Sequence, residues 1–193
     1  MNKVLIVGCG HMGSALLDAW QNLKSYKFTV IDPFNYKILK KKFGSNKINF
    51  FKSSKEIKNV SQFSIIIFAI KPQIAKMVLK EYEEVIFKKT TVLLSIIAGK
   101  KINFFKQRLK YANQFVRIMP NMPALIRNGI SCFVSTNNLS NKNKKIINQM
   151  FLKVGKIVWL KNENQIDKAT AVSGSGPGYI FSLINSFEKG AQK

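Results

Sequence analysis

A strand-like apolar run from Lys3 to Val7 leads directly into Val7-Gly8-Cys9-Gly10-His11-Met12-Gly13 and then into a helical apolar pattern. Few sequence features restrict a fold as much, because each glycine has a separate steric duty. Gly8 falls where the chain must turn tightly. Gly10 falls where the backbone must stay bare for a close approach, and Gly13 where the helix meets the strand. The N–H groups of the first helical turn and the positive end of the helix then face any anion resting on that backbone. A glycine-rich turn without a ligand is the competing reading, and the next motif weighs against it.

That motif is Asp32, which closes the second strand about 20 residues further on, where an acidic side chain accepts from adenosine ribose hydroxyls. Gly8, Gly10, Gly13 and Asp32 together describe a dinucleotide-binding βαβ unit of the Rossmann type. An aspartate there favours NAD, whereas Lys37 and a positive field favour a 2′-phosphate, so the expected cofactor is NADPH or NADH. Asp32 before Pro33 is also a plain turn starter. His11 reads as a phosphate-edge contact and not as a catalyst.

Strands and helices alternate along most of the chain, which calls for a parallel sheet covered on both faces. Eight strands are expected: Lys3 to Val7, Phe28 to Ile31, Ile48 to Phe50, Ser64 to Ala69, Thr91 to Ser95, Phe115 to Met119, Ile130 to Ser135 and Lys156 to Leu160. Helices are expected over Met12 to Leu23, Asn35 to Phe43, Pro72 to Phe87, Ile102 to Tyr111 and Asn141 to Lys153. The fold class is α/β, a Rossmann-type parallel sheet with helices on both faces, followed by the start of an all-α domain. The domain boundary falls at 162, with residues 163–193 as a linker and first helix. In that segment Ile180, Leu183, Ile184 and Phe187 share one helical face, and Ser173-Gly174-Ser175-Gly176-Pro177 forms a small-residue turn.

Composition excludes several classes. Cys9 and Cys132 are too few for a disulfide framework and lack metal-ligand spacing, and His11 is the single histidine, so no metal site is expected. No apolar run approaches the roughly 18 residues of a membrane span, and no cleavable leader is expected ahead of the first strand. A cytoplasmic protein follows. The net charge of +23 is carried mostly by dispersed lysines, with arginine at Arg108, Arg117 and Arg127 alone. Sequence-specific nucleic-acid binding is therefore not expected, although such a field attracts anions in a salt-dependent way.

Ala69-Ile70-Lys71-Pro72-Gln73 lies where the fourth strand passes into a helix, placing Lys71 either near a nicotinamide ribose or simply in solvent. Three later runs carry more information: Ser95-Ile96-Ile97-Ala98-Gly99, Arg117-Ile118-Met119-Pro120-Asn121-Met122-Pro123-Ala124 and Ala171-Val172-Ser173-Gly174-Ser175-Gly176-Pro177-Gly178-Tyr179. In order with the glycine turn and the Ala-Ile-Lys-Pro-Gln run, they resemble pyrroline-5-carboxylate reductases over essentially the whole sequence. The resemblance implies reduction of 1-pyrroline-5-carboxylate to L-proline by NAD(P)H, in a pocket between the sheet and a helical dimerisation domain. It also implies that Val7 to Met12, Ser54, Ala69 to Pro72 and Ile96 to Ala98 line the cofactor, with Pro120 and Asn121 on the substrate side. Ser173, Gly174, Ser175 and Gly176 are expected either at the substrate and nicotinamide or as a hinge.

Hydride addition to C=N asks for alignment and charge stabilisation without a covalent nucleophile, which suits a pocket poor in His, Cys and paired carboxylates. No residue is assigned as proton donor. Family members carry further helices and a Ser-Pro-Gly-Gly-Thr-like loop that these 193 residues do not contain. Impaired turnover is therefore expected of the short chain, and homo-oligomers only where the helical domain is present. Two alternatives remain beside this reading: a reductase of another imine or hydroxy acid, and a non-catalytic dinucleotide-binding module.

Overall fold

The computed structural model describes residues 1–44 and 48–192; Lys193, the last residue of the expected second segment, lies outside them. All eight expected strands form: β1 (Asn2–Val7), β2 (Tyr26–Ile31), β3 (Ile48–Phe51), β4 (Ile65–Phe68), β5 (Val92–Ser95), β6 (Gln114–Met119), β7 (Gly129–Ser135) and β8 (Gly155–Trp159). They make one sheet in the order β3-β2-β1-β4-β5-β6-β7-β8. The order reverses between β1 and β4, which opens a crevice at the carboxyl ends of those two strands.

Two-sided burial explains why the central strands read as unbroken apolar runs. Along β1, Val4 and Ile6 enter one core with Leu16, Leu17, Trp20 and Phe151. Leu5 and Val7 enter the other with Phe68, Leu79, Tyr82 and Phe105. Helices α1 (His11–Trp20) and α5 (Asn141–Phe151) cover the first face; α3 (Ala75–Lys80) and α4 (Ile102–Lys106) cover the second. Helix α2 (Tyr36–Phe43) links β2 to β3.

The expected sheet and the observed one differ at β7, which runs antiparallel to β6. The connection over residues 120–128 holds only a short 3₁₀ turn, too little chain for the crossover that a parallel pair requires. Helix α3 is also shorter than the expected Pro72 to Phe87. Glu81, Glu83 and Glu84 follow its last turn, where negative charge opposes the helix dipole.

Beyond β8, α6 (Glu163–Ala169) is capped by Asn162, whose Oδ1 accepts from the Gln165 N–H at 3.2 Å. It is pinned to the sheet by Arg117 of β6, a buried guanidinium 2.8 Å from Asp167 and 3.4 Å from Glu163. Here the expected small-residue turn is corrected. Thr170–Ser175 forms a widened π-helical turn that passes directly into α7 (Gly176–Ala191), so Ser173 to Gly176 continue a helical path. The Ser173 hydroxyl donates back to the Ala169 carbonyl at 2.9 Å, an i−4 bond that helical backbone permits. None of the α7 residues is buried.

Candidate functional site

The glycine turn meets the steric demands placed on it. Gly8 has φ +84°, and a Cβ there would lie 2.5 Å from Ile70 Cγ2 and 2.7 Å from the Ala69 carbonyl oxygen. A Cβ on Gly13 would lie 2.8 Å from the Gly8 carbonyl oxygen, so strand end and helix touch through bare backbone. At Gly10 the opposite holds: nothing lies within 4 Å of the Cβ position. Gly10 is the N-cap of α1 without a side-chain cap, and the first helical bond runs from the Ser14 N–H to the Gly10 carbonyl. The first-turn N–H groups thus face open space with the positive helix end behind them, and this geometry fits a diphosphate.

The neighbouring segments converge on the same crevice. The Ala69 N–H donates to the Val7 carbonyl at 2.8 Å and the Ile96 N–H to the Phe68 carbonyl at 3.1 Å, so the ends of β1, β4 and β5 lie side by side. This brings Val7 to Gly13, Ala69 to Pro72 and Ile96 to Ala98 together, with His11, Lys71 and Ala98 exposed and Ile97 buried. Pro120 and Asn121 continue β6 beyond its carboxyl end, where the π turn also arrives: a Cβ on Gly174 would lie 3.5 Å from Met119 Cε. The Asn121 Oδ1 accepts from the Ile130 N–H at 2.8 Å, which leaves its amide hydrogens to face elsewhere.

Three of the expected site residues have partners inside the protein. Asp32 is buried, and its Oδ1 accepts from the N–H groups of Phe34 (3.0 Å) and Asn35 (2.7 Å). Its Oδ2 accepts from the Cys9 N–H at 2.8 Å, and the Asn35 amide reaches both oxygens at 3.3 Å. A carboxylate offers about four lone-pair directions, and three short backbone bonds take most of them. Asp32 therefore latches the glycine turn to the β2–α2 turn, and the Asn35 amide at 3.3 Å from both oxygens occupies the side where ribose hydroxyls are expected. Cys9 gives its N–H to that latch and buries its thiol, which burial first and the Asp32 charge second push up to about 12, with Lys42 pulling the other way. Ser54 is buried and its hydroxyl donates to Glu81 at 2.5 Å, so it too faces protein.

Sequence reasoning missed Asn35 and Glu81 as partners of these groups. Asn35 carried a signal, since an Asx residue three positions after an aspartate and before a helix commonly bonds locally. Glu81 carried none, because its partner lies on a distant turn. Among the described residues no helix is long and apolar enough to cross a membrane.

Comparisons with known proteins agree with this geometry. The family of NADP oxidoreductases described as coenzyme F420-dependent matches residues 3–99. The pyrroline-5-carboxylate reductase of Arabidopsis thaliana is 33% identical over 148 residues, covering 77% of this chain and 52% of the plant protein. That of Pseudomonas aeruginosa is 30% identical over 193 residues, covering 99% of this chain and 69% of the bacterial one. The chain thus spans about half the length of the plant relative and little more than two-thirds of the bacterial one. A crystal structure of Plasmodium falciparum pyrroline carboxylate reductase with NADP bound is similar at a TM-score of 0.78 and 30% identity, covering 99% of this chain and 70% of that one. A bare glycine turn in the crevice of this sheet, with identity of this extent along the whole sequence, places the chain in the pyrroline-5-carboxylate reductase family.

Proposed function

We propose that the chain holds NADPH or NADH across the carboxyl ends of β1 and β4, as the cofactor-binding part of a reductase that converts 1-pyrroline-5-carboxylate to L-proline. The observation that carries the reading is the open space over Gly10 beneath the uncapped start of α1. In this reading Val7 to Gly13 hold the diphosphate through backbone, and Ala69 to Pro72 with Ile96 to Ala98 border the nicotinamide. Pro120 and Asn121 border the imine, with Ser173 to Gly176 beside them across Met119. When bound, the cofactor supplies the hydride. The chain's own part is to fix the two reactants in register and exclude water, the larger share of the work for a protonated C=N. The two free cysteines, both buried, suit a reducing cytoplasm. Dispersed lysines suit weak, salt-sensitive attraction to nucleic acid and no sequence reading.

The reading extends to residues 163–193 as the entry to a helical dimerisation domain, supported by the unburied apolar stripe of α7. Titration with NADPH or NADH, followed by nicotinamide fluorescence, tests the cofactor site. Binding is expected for the chain as it stands and is lost in Gly10→Leu, whose side chain enters open space and leaves the melting temperature unchanged. No signal at millimolar cofactor, or full binding by the leucine variant, overturns the proposal.

A further inference from the structure

A parallel sheet covered on both faces is expected to be apolar on both, and one corner of this sheet is not. On the face of the second core, β1, β2 and β3 present Lys3, Lys27, Thr29 and Asn49 to a common groove. The cover there is the stretch between β3 and β4, which packs Ile57 and Phe63 into that core beside Phe51 of β3. Between cover and strands the groove encloses about 350 Å³, within the range of small-molecule sites. None of the residues lining it belongs to the dinucleotide crevice.

Two features of its floor serve neither packing nor pairing. Lys3 and Lys27 are register partners on adjacent strands, so two like charges stand directly opposite one another, an arrangement that destabilises a sheet. The Lys3 ammonium donates to Gln62 Oε1 at 2.8 Å, a neutral acceptor. Among the described residues no carboxylate lies within ion-pair distance of Lys3, Lys27 or Lys58 on the rim. Glu56 alone of the lining residues is acidic, and its Oε1 accepts from the N–H groups of Lys52 (2.9 Å) and Ser53 (2.8 Å). Three lysines against one glutamate leave an excess of positive charge in a partly enclosed space. Thr29 is the second feature. It is 5% exposed, it opens on the groove, and among the described residues its hydroxyl has no hydrogen-bond partner, a costly state for a buried polar group. Asn49, its register partner on β3, sets an amide beside it.

We propose that this groove binds a small hydroxylated organic dianion. One acidic group bridges Lys3 and Lys27, a second meets Lys58, and the ligand hydroxyl pairs with Thr29 and Asn49. Phe51, Ile57 and Phe63 wall its carbon chain. The anion offsets the repulsion between the paired lysines and gives the Thr29 hydroxyl its partner, so its binding falls with added salt.

Calorimetric titration with malate, a hydroxy dicarboxylate, with glycerol 3-phosphate, a hydroxylated phosphate ester, and with inorganic phosphate tests the site. At least one of the two organic dianions is expected to bind saturably and tenfold or more tighter than inorganic phosphate, and the comparison of the two tells carboxylate from phosphate ester. Thr29→Val, which keeps the side-chain shape and removes the hydroxyl, and Lys27→Thr are each expected to weaken that binding tenfold or more. Neither lowers the melting temperature of the ligand-free chain, because neither group supports the fold. Gly10→Leu, which fills the cofactor crevice, is expected to leave the dianion's affinity unchanged. The proposal is overturned if both organic dianions fail to bind at millimolar concentration or bind no tighter than phosphate. Full binding by Thr29→Val or Lys27→Thr overturns it too, as does a lowered melting temperature in either, which would make the residue a structural one. Loss of binding in Gly10→Leu would place the anion in the crevice and likewise overturn it. The cofactor titration stands apart from all of these outcomes, so the dinucleotide reading is judged separately.

Discussion

The strand β4 and the helix α7 are built from similar residues and meet opposite fates. Ile65, Ile66, Ile67 and Phe68 are at most 1% exposed, enclosed by helices on both faces of the sheet. Tyr179, Phe181 and Phe187 of α7 are 73%, 70% and 68% exposed, and no residue of that helix is buried. Burying such a side chain stabilises a fold by roughly 1.5–3 kcal/mol, so β4 contributes much and α7 little to this chain's stability. Apolar content alone therefore does not locate a core; the period does, since a continuous strand-sized run needs two covering layers and a helical stripe needs one. Arg117, Glu163 and Asp167 mark the seam between the two regimes.

The largest expected effect lies deep in the first core. Trp20 is fully buried, stacks near Phe28, meets Phe151 edge to face, and donates from Nε1 to the Met150 carbonyl at 2.7 Å, tying α1 to α5. Trp20→Ala removes that packing and one of the donors to the Met150 carbonyl, which keeps the Lys153 N–H at 3.1 Å, a loss of about 3–5 kcal/mol. Urea unfolding would measure it, and a loss below 1 kcal/mol would mean that the two regions differ less than their burial suggests.

At the seam the effect is smaller. Glu163 accepts from the Ile102 N–H at 2.9 Å and lies 3.4 Å from Arg117, so Glu163→Ala strips one partner from a buried guanidinium and one acceptor from the start of α4. Asp167 remains, at 2.8 Å, and Glu163 is partly solvated, which holds the expected cost to about 1–3 kcal/mol. Limited proteolysis should then cut faster around 160–175 than within the sheet. Unchanged cleavage there would show that α6 is held by its apolar side, through Ile166, and not by the ion pairs.

How far the sequence foretold these differences depends on the range of the interactions involved. Strands and the glycine turn were legible because they follow from local period and local sterics, as at Val4 to Val7 and Gly8. The reversal of β7 was not, although the short stretch between β6 and β7 contained the clue. The position of Asp32 suits two duties, and its donors from Cys9, Phe34 and Asn35 were not legible because they appear only once two turns are juxtaposed. Lys40 and Lys52 each approach the Tyr36 ring by a different route: one pairing is a helical i,i+4 relation, the other crosses from the end of β3.

Alkaline pH probes the enclosed half selectively. Burial raises the thiol of Cys9 from 9.0 to about 12, raises Cys132 as well, and raises the phenols of Tyr26 and Tyr82. For each group the folded chain holds its proton to a higher pH than the unfolded chain does. That contribution is complete below about pH 9 and is lost as pH climbs through the folded values, by roughly 1 kcal/mol per pH unit for a well-buried thiol. Unfolding midpoints measured from pH 7 to pH 11 should be level at first and then fall above pH 9. Cys9 should react with a thiol reagent only after denaturant is added; reaction in the native protein at neutral pH would mean that the latch with Asp32 opens readily.

The smallest effect is expected where the residues look most costly to change. Phe181→Ala and Ile184→Asp alter two large apolar side chains, yet both positions lie on a helix without buried residues, 70% and 48% exposed. Removing a contact that is not made costs nothing, so neither variant should move the unfolding free energy of the sheet by more than about 0.5 kcal/mol. Only the local helix should respond, because a lone helix of 16 residues is marginal in water and an aspartate forms helix less well than isoleucine. Circular dichroism would then show a small loss of helical signal beside an unchanged main transition. A main transition lowered as far as in Trp20→Ala would mean that α7 folds back onto the sheet in solution, and the contrast between the two regions would vanish.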